Sequence, residues 1–233
     1  METLFFGNCT LTGLDKRFGL QQTFGLLALD QWLTAQAELS AYQRESCDHL
    51  QKLLRLNNAG WNEQELSLHF IGPIFSLAEI SSQQYNAFAN RQISAQVGDV
   101  FLTGKSDGMI ASGYREPEIP YFAFQRSVVT EYKKEKDPEG ERNVAPSEAQ
   151  ALGAMLVGQH LNGDDRPVYG SYVIGQNWYF MALQGKQYGV SPAYSASSDD
   201  IIEVVRILLA LKAIVEQYVL QLPAYFAQSA TVA

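Results

Sequence analysis

The chain has 233 residues, 46% of them hydrophobic and 18% charged, an ordinary globular composition with no signature of disorder. With 17 Lys and Arg against 25 Asp and Glu, the net charge is −8. That excludes a protein that coats nucleic acid by bulk positive charge, while leaving room for a local basic cleft.

The two cysteines, Cys9 and Cys47, lie far apart and form no CxxC pair. They argue against structural zinc and predict reduced thiols in a cytoplasmic protein. No basic stretch followed by an apolar run opens the chain, so no signal peptide is expected. The most apolar run, residues 201–222, is interrupted by Glu203, Arg206, Lys212 and Glu216. It predicts a helix with a polar stripe and no membrane span.

In chain order, the first sixty residues read as helical. One helix is expected over residues 20–37, with Phe24, Leu27, Leu29, Trp32 and Leu33 as its apolar positions. A second begins at Ser40, which has capping-box spacing with Gln43, and ends in the stretch 57–60. A third begins at Asn62, with Glu65 at its third position, and Pro73 kinks or divides it. From Gln84 the pattern turns to strands: "AFANRQISAQVGDVFLTG", "KSDGMIASG" and "IPYFAFQRSVVTEYKK", with "GYREPEIP" as a hairpin loop. After the polar loop "DPEGERNVAP", a helix is expected from Ser147, boxed with Gln150, to about Leu161. Two strands, "VYGSYVIG" and "WYFMALQG", joined across Gln176 and Asn177, precede a final helix capped by Ser197 or Ser198. The expected fold class is α/β, with a mixed central sheet flanked by helices. Residues 1–61 read as an N-terminal helical extension and residues 62–233 as the main domain, without a composition break between them.

Two positions in the strand region carry chemistry. Asp107 opens an apolar strand, and "VVTEYKKEK" places Glu131 and Lys133 on one face of another, because side chains alternate along a strand. Carboxylates brought together across neighbouring strands repel by roughly 4 kcal/mol at about 4 Å and an effective dielectric of about 20. A proton, an ammonium or a divalent cation must compensate. Hard oxygen ligands on rigid strands suit Mg²⁺, or Mn²⁺ in its place, sharing its shell with a phosphate. Lys133 would then face the attacking water. The ordinary alternative is a solvated strand-end pair between Glu131 and Lys133, worth under about 1 kcal/mol.

"SDGMIASG" followed by "VVTEYKK" resembles the PD-(D/E)XK nuclease superfamily, and "DGMIASG…PYFAF…EYKKEKDP" is similar to one bacterial group within it. The resemblance implies a restriction-endonuclease-like core in the order helix, three strands, helix, strand (αβββαβ). It implies an acid on the second core strand, matched by Asp107, and an acid-x-lysine on the third, matched by Glu131 and Lys133. Metal ligands would be Asp107, Glu131 and the backbone carbonyl of Tyr132. An acid from the first core helix falls on Glu65, with Glu63 behind it, and a polar residue from the following helix falls on Gln150. Ser106 stands where the motif has proline. The implied activity is metal-dependent hydrolysis of phosphodiesters in DNA or RNA reached through a local cleft. No membrane is involved, and a homodimer is an open assembly state. The alternative is a non-catalytic binding or assembly module that keeps the fold, which the net charge favours.

Two of these residues have competing local readings. Glu65 is placed for ordinary helix capping, and Gln150 for a box with Ser147. His49, His69 and His160 show no metal-ligand spacing, and the sequence contains no GxSxG elbow or Walker loop. The alternating aromatics Tyr169, Tyr172, Trp178, Tyr179 and Phe180 read as cross-strand packing.

Overall fold

The computed structural model describes residues 2–127 and 146–221. The chain opens with β1 (Glu2–Phe5), a 3-10 turn (Phe6–Asn8), α1 (Leu11–Phe18) and β2 (Gln21–Gln22). It continues through α2 (Leu27–Thr34) and α3 (Ala41–Asn57). The helix expected over residues 20–37 is therefore confined to α2. Its first third is drawn instead to the sheet edge, where the N–H of Thr23 donates to the Tyr188 carbonyl at 2.8 Å. Phe24, expected on the apolar face, is 94% exposed on the connecting turn. The N-terminal segment thus supplies two strands to the sheet as well as three helices.

The next stretch divides into α4 (Glu63–Leu66), a π-helical turn (Ser67–Ile71) and α5 (Gly72–Leu77). Pro73 explains the division: it has no N–H for the carbonyl of residue 69, and the ladder widens so that the N–H of Gly72 reaches the Ser67 carbonyl. The expected box at Asn62 is present. Its Oδ1 accepts the N–H groups of Gln64 and Glu65, and the Glu65 carboxylate accepts the N–H of Asn62 at 2.8 Å. Ser40 and Gln43 form the same reciprocal pair at the start of α3.

Then come β3 (Tyr85–Val97), β4 (Val100–Ser112), β5 (Pro120–Ser127) and α6 (Ser147–Asn162). The expected box between Ser147 and Gln150 is absent: Pro146 is the cap residue, it offers no side-chain acceptor, and Ser147 is buried inside the helix. The chain closes with β6 (Val168–Ile174), β7 (Asn177–Gln184), β8 (Gln187–Val190), β9 (Tyr194–Ser195) and α7 (Asp200–Gln221). The β6–β7 loop is Gly175–Gln176, with Gly175 at φ 60°, so Asn177 belongs to the strand and not to the turn.

Among the described residues one mixed sheet runs β1-β4-β5-β6-β7-β8-β2, with β3 on the other side of β4 and β9 on β7. The register makes β3–β4–β5 an antiparallel meander, β5 and β6 a parallel pair bridged by α6, and β6–β7 antiparallel. Two cores cover the two faces. One holds Trp32, Phe122, Trp178 and Phe180 under α2, α3, α5 and α7. There the indole N–H of Trp32 donates to the Ile207 carbonyl at 2.8 Å and its ring meets Phe180 edge-on at 5.2 Å. The other holds Phe6, Met109, Met155 and Met181 under α1 and α6. Gly104 is required there, because a Cβ would lie 2.3 Å from the Phe6 ring.

Candidate functional site

Asp107 sits where β4 loses regular pairing on both sides. Toward β3 the register runs Ala89 to Gly108 and Arg91 to Ser106, skipping Asn90 and Asp107. Asn90 takes φ 58°, a left-handed conformation that Asn tolerates better than other side chains with a Cβ. Toward β5 the paired register begins only at Gly108 opposite Phe124. Ser106, where the motif has proline, keeps this junction tied: its Oγ lies 2.6 Å from the Gly108 carbonyl and 3.1 Å from that of Phe124.

Among the described residues, Arg126 near the end of β5 meets the Asp107 carboxylate. Its backbone N–H donates to Oδ2 at 3.0 Å, and its Nη1 stands 3.5 Å from Oδ1. The Asp107 and Arg126 side chains are 24% and 17% exposed, so the pair is largely removed from water. Burial pushes the Asp107 carboxyl above its ordinary value. The guanidinium and N–H of Arg126 pull it down, and the charge of Glu63 pushes it up again. Burial prevails, so the pair lies in a setting that disfavours the bare carboxylate.

The sequence-derived residues distribute unevenly around this point. Glu65, the first choice for the helix acid, is occupied in the Asn62 cap. Glu63, the second choice, is the α4 residue whose charge reaches Asp107. Gln150 lies in the first turn of α6, its N–H bonded to the Pro146 carbonyl at 3.1 Å. Glu131, Tyr132 and Lys133 lie outside the described residues. Among the described residues no three of His, Cys, Asp and Glu come together to hold a metal. Sequence reasoning missed Arg126 and Asn90. Arg126 had a signal, since it interrupts the alternating apolar positions Phe122 and Phe124. Asn90 had none beyond being an Asn inside a strand.

A cleft of about 620 Å³ opens beside Asp107, between α5, the π turn and the sheet, and Phe75 and Arg126 both line it. On the opposite face of the sheet, burial raises the Glu148 carboxyl in the first turn of α6 while a bond with Tyr172 opposes the rise. The Tyr172 ring stacks on Tyr179 at 4.6 Å.

Neither a protein-family model nor a curated protein matches this chain.

Proposed function

We propose that the protein is a metal-dependent nuclease of the PD-(D/E)XK kind, hydrolysing nucleic-acid phosphodiesters at Asp107. The observation that carries this reading is a desolvated carboxylate at a break in strand pairing, with a second carboxylate, Glu63, within electrostatic reach and a cleft at its side. The chain order supports it: the helical segment from Glu63, β3, β4, β5, α6 and β6 follow the order helix, three strands, helix, strand, and Asp107 falls on the second strand. No helix among the described residues is long and apolar enough to cross a membrane. The buried free thiols Cys9 and Cys47 support a reducing, cytoplasmic setting.

The donors fit a hard cation in kind, being carboxylate oxygens. Asp107 and Glu131 would hold Mg²⁺ or Mn²⁺ with the Tyr132 carbonyl, and Glu63 would complete the acidic edge in place of Glu65. Bound there, the cation would supply a Lewis acid and an activated water. Lys133 would orient that water and offset charge developing on the phosphate, with Gln150 as a further polar contact. A regular extension of β5 would carry Glu131 roughly 16 Å past Arg126 at about 3.3 Å per residue, so the reading requires the chain to bring Glu131 back to Asp107.

The test combines melting with cleavage. Mn²⁺ should raise the melting temperature of the wild type and leave Asp107→Asn and Glu131→Gln unmoved. Lys133→Ala should keep the metal shift yet lose cleavage by about a hundredfold or more, while Lys134→Ala should keep both. A metal shift that survives both carboxylate substitutions would sink the assignment.

One observation favours a second reading, a non-catalytic relative that keeps the fold. Arg126 already supplies Asp107 with a cation. On that reading Mn²⁺ leaves the wild type unmoved and binds only when Arg126→Gln releases the carboxylate.

A further inference from the structure

The cleft beside Asp107 has a composition unlike a track for a charged backbone. Its floor is aromatic and aliphatic: Phe75, Phe122 and Phe124 line it, with Ile71 and Ile110. Phe75 stands edge-on to Phe124 at 5.3 Å and to Phe122 at 6.1 Å, and it keeps part of its ring accessible, whereas Phe122 and Phe124 are buried behind it. Among the described lining residues Arg126 is the one cation, set against Asp107 and Glu79. A protein gripping duplex DNA by its phosphates spreads several Lys and Arg along the path. Arg126 is the cation that the described lining offers to a phosphate. About 620 Å³ lies within the range of pockets that enclose a small planar molecule and far below the groove that a double helix needs.

We infer that this cleft receives one unstacked nucleobase, so that the substrate class is single-stranded or locally unpaired nucleic acid and not regular duplex. The inference rests on the nuclease reading for the chemistry, but the binding it describes does not require cleavage. The base lies against the accessible part of Phe75, where stacking is tolerant of base identity because every base has a π-face. The phosphate attached to that nucleotide meets Arg126, which brings the adjoining phosphodiester to the edge of Asp107. Extracting a base from a duplex costs its pairing and stacking, and a strand with no partner avoids that cost. This gives a protein of net charge −8 a way to hold nucleic acid that does not depend on bulk positive charge.

Exposed residues on the cleft rim allow a test that spares the core. Ser76 and Ala89 line the cleft and are exposed. Ser76→Trp and Ala89→Trp place an indole in the opening. The probe is a short DNA oligonucleotide carrying 2-aminopurine, single-stranded or annealed to its complement, in EDTA so that no cleavage occurs. The expected result is binding of the single strand with a change in 2-aminopurine emission, and affinity at least about tenfold weaker for the duplex and for both Trp variants. Their melting temperatures should match the wild type, and if one variant fails to fold the other carries the test. Equal affinity for single strand and duplex, or Trp variants that fold and bind like the wild type, would overturn the inference. Cleavage in Mn²⁺ separates the two readings. Duplex cut as fast as single strand, with no effect of the Trp variants, removes the base pocket and keeps the nuclease. Selective single-strand binding that the Trp variants abolish, with no cleavage of any substrate, keeps the pocket and removes the nuclease.

Discussion

Asp107 and Asn90 face each other across a gap in the β3–β4 ladder, and each supports a measurable expectation. Asn90 holds φ 58°. Asn90→Gly should leave stability nearly unchanged, because Gly enters that region without a steric penalty. Asn90→Val should cost about 1–2 kcal/mol in urea denaturation, since a β-branched side chain is strained there. For Asp107 the folded carboxyl titrates above its ordinary value because burial outweighs Arg126. The folded state therefore takes up the proton at a higher pH than the unfolded chain. The charged form is a liability at neutral pH, and that liability disappears as pH falls through the folded value toward the ordinary carboxylate range. The stability of the wild type relative to Asp107→Asn should accordingly rise as pH is lowered through that window. Denaturation curves of the two proteins at a series of pH values would check the sign, and a relative stability that falls on acidification would mean that Arg126 dominates. Asp107 was legible as an acid beside the apolar run Met109–Ala111, although it lies inside β4 and not at the head of a strand as expected. Its partner was not, since which residue of β5 lies opposite depends on register.

At the scale of elements, what the sequence announced was local chemistry. The caps at Ser40 and Asn62 were readable because donor and acceptor are three residues apart. The same spacing misled at Ser147, where Pro146 takes the cap position and the burial of Ser147 decides the outcome. Pro73 marked a division, though not that the ladder would widen into a π turn ahead of it. The Asn62 cap also separates the two acids of α4. Glu65→Gln should preserve the cap, because an amide oxygen also accepts the Asn62 N–H, and should leave Mn²⁺ affinity intact. If the proposed metal site is correct, Glu63→Gln should weaken Mn²⁺ binding by removing a negative charge near Asp107. Calorimetric titration of both variants checks this. Equal losses would assign the helix acid to neither position alone.

Over the whole molecule, the α/β class and the mixed sheet followed from alternating strands and amphipathic helices, whereas the sheet order did not. β1 and β2 have four and two residues, too short to register a period, and they find their partners far along the chain: Glu2 opposite Val100 and Gln21 opposite Gln187. Helix α6 hid its importance differently. It carries Ala149, Ala151, Ala154 and Gly158 where a core helix usually has larger residues, and this lets it lie close against the sheet. Phe6 is wedged between Gly104 of β4 and Gly153 of α6 and is 1% exposed. Phe6→Ala should lower stability by about 3–5 kcal/mol in equilibrium denaturation, the usual cost of emptying a well-packed aromatic site. A loss below about 1 kcal/mol would mean that the N-terminal segment is dispensable to that core. The parallel seating of β1 on β4 also has a consequence for biosynthesis. At about 5–20 residues per second, Leu4 leaves the ribosome roughly 5–20 s before Leu102 does. Over that interval Phe5 and Phe6 have no strand to join, so they stay uncovered until β4 emerges. A chaperone that follows nascent chains would find Phe5 and Phe6 uncovered during that interval.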